Sequence, residues 1–334
     1  MLTKDNREGR KITMLNQNSI KILDCTIRDG GLINNFKFED DFVRAVYETC
    51  VNSGVDYMEV GYKADKKIFT GDKFGSWKFC NENDIRRIVG DNDTGLKISV
   101  MADAERTDYH NDILKKTDSV IDMIRVATYA DQIPTAIDMV KDSHDKGYET
   151  TINIMAVSLL AEDTLNNALE QLSKSEVEVI YIVDSFGSLY SSDIHKLVKK
   201  YMKYAISEGK KVGIHCHNNQ QLAYSNTIEA INDGVHFIDA TITGLGRGAG
   251  NCPIELILGF LNNPNYNLRP IIECIEKYIP SIKKQNKWGF DVAYMLTGLL
   301  NKHPSEAIEF LESNRGDYTN FYDKIIMNNR KFMI

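Results

Sequence analysis

The feature that most constrains the fold is an alternation along the first three quarters of the chain. Short apolar runs rich in β-branched residues recur, each followed by a longer stretch with helical periodicity. Eight such runs are present: Ile20–Cys25, Tyr57–Gly61, Lys97–Met101, Met123–Ala127, Thr151–Met155, Val179–Val183, Lys211–His215 and Phe237–Thr241. Between them Asp40–Ser53, Pro134–Lys146, Asp163–Ser173, Ser192–Ser207 and Gln221–Asp233 carry apolar residues at three- and four-residue steps. Eight βα units in ~250 residues predict an α/β fold, a (β/α)8 TIM barrel. A doubly wound open sheet shares the same periodicity.

After Asn263 the pattern changes, and Ile271–Tyr278, Asp291–Leu300 and Pro304–Glu312 read as helices. The expected organisation is a polar segment over 1–19, a barrel domain over 20–262 and a helical C-terminal extension over 263–334. Asp65–Asn81 is an aromatic and charged excursion (Phe69, Phe74, Trp77, Phe79), which fits a long loop after the second strand.

Composition removes several classes of function. Hydrophobic residues make up 43% and charged residues 26%, an ordinary globular mix that can build a core. Forty Lys and Arg against forty-seven Asp and Glu give a net charge of -7, without the basic excess a nucleic-acid binder needs. Segment 1–19 lacks the apolar core of a signal peptide, and no run reaches the ~18 apolar residues of a membrane span. Six cysteines (Cys25, Cys50, Cys80, Cys216, Cys252, Cys274) lie scattered with no CxxC pair, as expected of reduced thiols. A cytoplasmic protein with no nucleic-acid or membrane partner is expected.

In a barrel the chemistry belongs at the C-terminal ends of the strands. There the first run ends in Asp24-Cys25-Thr26-Ile27-Arg28-Asp29-Gly30-Gly31, and the second in Glu59-Val60-Gly61-Tyr62-Lys63. The fourth contains Arg125, the sixth ends in Asp184-Ser185-Phe186-Gly187, and the seventh ends in His215-Cys216-His217. Residues two apart on a strand face the same way, so His215 and His217 can bind one cation. Surface or core histidines are the alternative. With a carboxylate from Asp29 the set would leave open positions on a divalent ion, Mn, Mg, Co or Zn, with Mn or Mg favoured. Arg28 is either a plain ion-pair partner of Asp29 or a fixed cation that steadies an enolate oxygen. The run Gly244–Gly250 lacks the Lys-Ser/Thr ending of a phosphate loop and reads more simply as a tight turn presenting Asn251.

Together these motifs resemble the DRE-TIM metallolyases, the HMG-CoA lyase-like family. Asp24-x-Thr26-x-Arg28-Asp29-Gly30, His215-x-His217 and Gly248-Ala249-Gly250-Asn251 stand in that family's order and spacing, and the similarity runs from Ile20 to about Leu261. Ile124-Arg125-Val126-Ala127-Thr128 and Tyr181-Ile182-Val183-Asp184-Ser185 are most similar to 4-hydroxy-2-oxovalerate aldolases. The resemblance implies a divalent-metal-dependent aldolase or lyase that makes or breaks a C–C bond next to a 2-oxo acid, through the pyruvate enolate. It implies Asp29, His215 and His217 as metal ligands, with Asn251 as a further ligand or substrate contact. Arg28 would stabilise the enolate, and Ser185 would hold the carboxylate. Glu59 would orient water or relay a proton, and Tyr294 would lie near the family's catalytic tyrosine.

One position departs from the pattern. Those aldolases carry a His two residues after the Asp-Gly, where this chain has Leu32. The base would then be a metal-bound water, Glu59, Tyr62, Lys63 or Tyr294. The acyl-CoA:2-oxo acid synthases of the family carry a Gln after Arg-Asp-Gly and a large regulatory domain; here Gly31 follows. Aldol chemistry is therefore expected over Claisen condensation, with a catalytically silent barrel serving as a partner subunit as the third reading. The expected partners are a small 2-oxo acid and an aldehyde. The C-terminal helices would pack over the barrel, form a homodimer, or dock an aldehyde dehydrogenase.

Overall fold

The computed structural model describes residues 20–313 and 316–330, so the expected polar segment 1–19 lies outside the described residues. Eight parallel strands close into a barrel in sequence order, with the first pairing with the eighth. They are β1 (Lys21–Asp24), β2 (Tyr57–Tyr62), β3 (Lys97–Asp103), β4 (Met123–Thr128), β5 (Glu149–Ile154), β6 (Val179–Asp184), β7 (Lys211–Cys216) and β8 (Phe237–Ala240). Each expected run is a strand, and closure decides between barrel and open sheet. Strands buried on both faces read as near-continuous apolar runs because helices cover the outside and side chains fill the inside.

Two apolar layers follow. Outward side chains such as Ile98, Val100, Ile152, Ile180 and Ile214 pack under the helices. A separate interior cluster of Leu23, Cys25, Tyr57, Met123, Val179, Tyr181, Val183 and Phe237 plugs the barrel. Tyr181 fits there because β7 carries glycine opposite: a Cβ on Gly213 would stand 2.6 Å from the tyrosine ring. Above this plug the interior becomes polar, with Glu59, Arg125, Asp239 and His215 all buried.

The register of β2 against β3 shifts between Glu59 and Tyr62. Strict alternation would send these residues to opposite faces; the irregularity lets Glu59 face the interior and Tyr62 line the cleft above it. The segment after β1 is a helix over Thr26–Asn34, which the sequence reading did not assign. Gly31 serves close packing within it, since a Cβ there would lie 2.2 Å from the Phe36 ring.

The helical extension divides into two parts. Leu268–Gln285 packs beside Asp40–Ser53 on the barrel wall. Helices Val292–Leu299, Ser305–Glu312 and Tyr318–Arg330 share a small core of Ala293, Leu296, Ala307, Phe310, Phe321 and Ile325, with Phe310 and Phe321 stacked at 4.4 Å. The last of these helices is not evident in the sequence. Asn301 ties this unit to the C-terminal rim of the barrel: its Oδ1 accepts from Ser158 and Ser188 Oγ, both at 2.7 Å, and its Nδ2 donates to the Ser158 carbonyl at 3.1 Å. The extension thus sits on the C-terminal mouth of the barrel. No helix among the described residues is long and apolar enough to cross a membrane.

Candidate active site

Asp29 comes from the helix that follows β1, His215 from β7 and His217 from the residue beyond it, and the three present ligand atoms all within 4.8 Å of one another. All three are buried. Both carboxylate oxygens of Asp29 and Nε2 of His215 have no hydrogen-bond partner among the described residues, while His215 Nε2 lies 3.2 Å from Asp29 Oδ2. Buried polar atoms without a well-formed hydrogen bond fit a divalent cation, and one carboxylate with two imidazoles is a donor set such ions accept. Asn251 adds a further orphaned oxygen, Oδ1, and Gly246 packs against both Asn251 and Asp29.

The loop after β8 folds as the tight turn expected for Gly244–Gly250. Asn251 donates its backbone N–H to the Gly244 carbonyl at 3.0 Å, and Gly250 takes φ of 82° with its carbonyl accepting from Asn218 at 2.8 Å. This holds Asn251 beside His217, to which it is bridged.

Beneath these three side chains a ring of alternating charge closes on itself. Arg28 Nη1 lies 3.2 Å from Asp29 Oδ2, and Arg28 Nε donates to Glu59 Oε2 at 2.7 Å. The same Glu59 oxygen accepts from Arg125 Nη1 at 2.9 Å, and Arg125 Nη2 donates to Asp239 Oδ2 at 2.6 Å. Asp239 Oδ2 lies 3.0 Å from His215 Nδ1, which returns the ring to the starting cluster. A carboxylate behind a ligating histidine fixes its tautomer and turns the other nitrogen outward. Burial pushes the Asp29 carboxyl up, but Arg28 and the two histidines outweigh it and hold the group well below the usual carboxylate range. Burial also drives His217 toward its neutral form, the form a cation requires.

A cleft of ≈ 410 Å³ opens over this set. Arg28, Asp29, His215, His217 and Ser185 line it together with Tyr62, Lys78, Asp103, Arg106, Asn153, Arg247 and His303. Ser185 Oγ accepts from the Ala156 backbone N–H at 2.8 Å, which leaves its O–H free to donate into the cleft. Glu59 stands below the cleft, gripped by two guanidinium groups. Lys63 is buried outside the lining. Tyr294 lines an adjoining cleft that shares Leu32 and Arg247 with the first, and its ring packs near Gly248. Leu32 stands at the lip of both.

Sequence reasoning passed over several residues of the site. Asp239 leaves a signal, a carboxylate inside the fully buried four-residue strand β8. His303 comes from the extension; its Nε2 lies 3.0 Å from Arg247 Nη1, and burial with that cation pushes its imidazole down to about 4. Lys78, Asp103 and Arg106 come from loops and strand ends with no spacing signature.

The comparisons agree with this geometry. The family model described as HMGL-like matches residues 19–268. An oxaloacetate decarboxylase from Mycobacterium tuberculosis is 30% identical over 244 residues, covering 72% of this chain and 69% of that protein. A 4-hydroxy-2-oxovalerate aldolase from Thermus thermophilus is 26% identical over 265 residues, covering 76% and 73%. Among solved structures, the N-terminal domain of an assigned aldolase from Bacteroides vulgatus superposes with a TM-score of 0.77 at 32% identity, covering 87% of this chain and 96% of that one. With the closed barrel, the first-strand motif and the paired rim histidines, the chain belongs to the HMGL-like family, the DRE-TIM metallolyases, and is a lyase.

Proposed function

We propose that the protein cleaves or forms a C–C bond next to a 2-oxo acid, with the enolate of pyruvate as the intermediate and a divalent ion, Mn or Mg first, held by Asp29, His215 and His217. The observation that carries this reading is the convergence of those three side chains, with orphaned ligand atoms, beside Arg28 and Ser185 in one cleft. When bound, the ion supplies a Lewis acid that polarises the 2-oxo group.

The chain's own residues do the rest. Ser185 donates its free O–H to the substrate carboxylate and fixes the carbon chain. Arg28, locked by Asp29 and Glu59, offers an N–H to the oxygen that gains charge as the C3–C4 bond breaks. It needs no reorganisation, because burial and two carboxylates hold its geometry before substrate arrives. Glu59 acts on this reading as the group that positions Arg28.

Loss of carbon dioxide from a 2-oxo dicarboxylate is a second reading, favoured by Leu32 at the cleft lip and by the decarboxylase relative. Retro-aldol cleavage must remove a proton from the C4 hydroxyl; decarboxylation leaves the same enolate without that step. The test is release of pyruvate from oxaloacetate and from 4-hydroxy-2-oxo acids by metal-loaded protein. Release from either, abolished by chelation and restored by Mn, supports the reading. No release from any 2-oxo acid contradicts it.

A further inference from the structure

The cleft holds more positive charge than a single 2-oxo acid calls for. Arg28 is matched by Asp29 and Glu59, and Arg125 by Glu59 and Asp239. Lys78 and Arg106 also line the cleft, and neither forms an ion pair or a side-chain hydrogen bond among the described residues. Lys78 is only 6% exposed. Its Nζ sits 4.2 Å from the Phe69 ring centroid and 4.3 Å from that of Tyr62. Such faces soften the cost of burying an ammonium without neutralising it. Asp103 also lines the cleft; burial pushes its carboxyl up while Lys78 and Arg106 pull it down, and burial pushes the Lys78 ammonium down.

Placement gives these cations a direction. The ligand set comes from the ends of β1 and β7, whereas Lys78 lies in the loop after β2 and Arg106 in the turn that closes β3. In a ring of eight strands β3 and β7 stand opposite each other. Two backbone hydrogen bonds hold the turn: Arg106 donates its N–H to the Asp103 carbonyl at 3.1 Å, and its own carbonyl accepts from Asp65 at 2.9 Å. A substrate anchored by its 2-oxo acid end near His215 and His217 therefore extends its far end toward Lys78 and Arg106.

We infer that the β2–β3 wall of the cleft is a second anion site, so that the fragment joined to the enolate carbon carries a carboxylate or a phosphate, held by Lys78 and Arg106. This rests on the aldolase reading above. In the cleavage direction the C4 hydroxyl gives up its proton, C4 becomes the carbonyl carbon of the anionic aldehyde, and the C3–C4 electron pair passes into the enolate. A proton then adds at C3 to give pyruvate. The anionic group itself stays intact and serves to bind and orient the aldehyde.

The experiment uses the full chain loaded with Mn and has two stages. Exchange of pyruvate methyl protons into deuterated buffer needs no aldehyde and reports the enolate site alone. Aldehydes of matched length are then offered with pyruvate: succinic semialdehyde for a carboxylate, glyceraldehyde 3-phosphate for a phosphate, and butanal as the neutral control. The expected result is kcat/KM for one anionic aldehyde at least about tenfold above butanal, since a site built for a charged group discriminates against an analogue that lacks it. Which anionic aldehyde is preferred tells carboxylate from phosphate. Arg106→Gln, at an exposed turn, and Lys78→Met should each shrink that preference mainly by raising KM for the anionic aldehyde. Exchange accompanied by equal or better use of butanal, by no use of any anionic aldehyde, or by an unchanged preference in Arg106→Gln would overturn the inference while leaving the enolate site standing. No exchange at all removes the aldolase reading and the inference with it.

Discussion

Oδ2 of Asp239 lies 3.0 Å from Nδ1 of His215 and so turns the other imidazole nitrogen toward Asp29. The same oxygen accepts from Arg125 at 2.6 Å, so the group that aims one side chain of the proposed metal site also anchors a guanidinium inside the barrel. The site and the polar interior are therefore one network. Arg125 joins Asp239 to Glu59, and Glu59 holds Arg28 at the cleft floor.

Asp239→Asn should weaken metal binding by roughly 10- to 100-fold, the usual cost of losing the group behind a ligating histidine. Competition against a fluorescent chelator measures it without reference to turnover. Wild-type affinity in the variant would separate Asp239 from the ligand set.

Arg125→Met should cost about 3–5 kcal/mol of stability, because it strands the buried carboxylates of Glu59 and Asp239 without their shared partner. Urea unfolding checks this. A loss under ~1 kcal/mol would show that the two carboxylates find other partners.

Arg28→Lys should keep its metal and lose about 10²- to 10³-fold in rate, since an ammonium cannot reproduce the fork that holds Glu59 and Asp29 while donating into the cleft. Metal content by elemental analysis, beside steady-state rates, separates this from a ligand defect. Wild-type turnover would remove Arg28 from the chemistry.

Asp24 predicts a pH dependence of stability. Burial pushes its carboxyl up to about 7, despite accepting from Thr26 N–H at 3.0 Å and Oγ1–H at 2.7 Å. Between about pH 4 and 7 the folded chain keeps a proton that the unfolded chain has released, so this group's contribution falls as pH rises and is least favourable above 7. Asp24→Asn, which keeps an acceptor for Thr26, should gain roughly 2–4 kcal/mol relative to wild type between pH 5 and pH 8. A pH-independent difference between the two proteins would contradict the assignment.

The strands and the motif residues were legible because their signals are local. Each strand is a contiguous apolar run, and Arg28-Asp29 and His215-x-His217 are neighbours in sequence. The ring behind them was not, since Arg125 and Asp239 stand 114 positions apart and meet only when the barrel closes. Helix Thr26–Asn34 was hidden by glycines that serve packing against Phe36, and helix Tyr318–Arg330 by an Asn-rich stretch with Phe321 and Ile325 as its buried contacts. Lys78, Arg106 and His303 reach the cleft through loops, whose course the periodicity does not encode.

Asp29, His215, His217 and Arg28 are proposed to form one metal-dependent enolate site. NMR of pyruvate in deuterated buffer tests it most directly, with protein stripped of metal, protein reloaded with Mn, and His215→Ala under the same loading. Methyl-proton exchange is expected with the reloaded wild type alone. Exchange that survives chelation, or that His215→Ala supports at the wild-type rate, would contradict it.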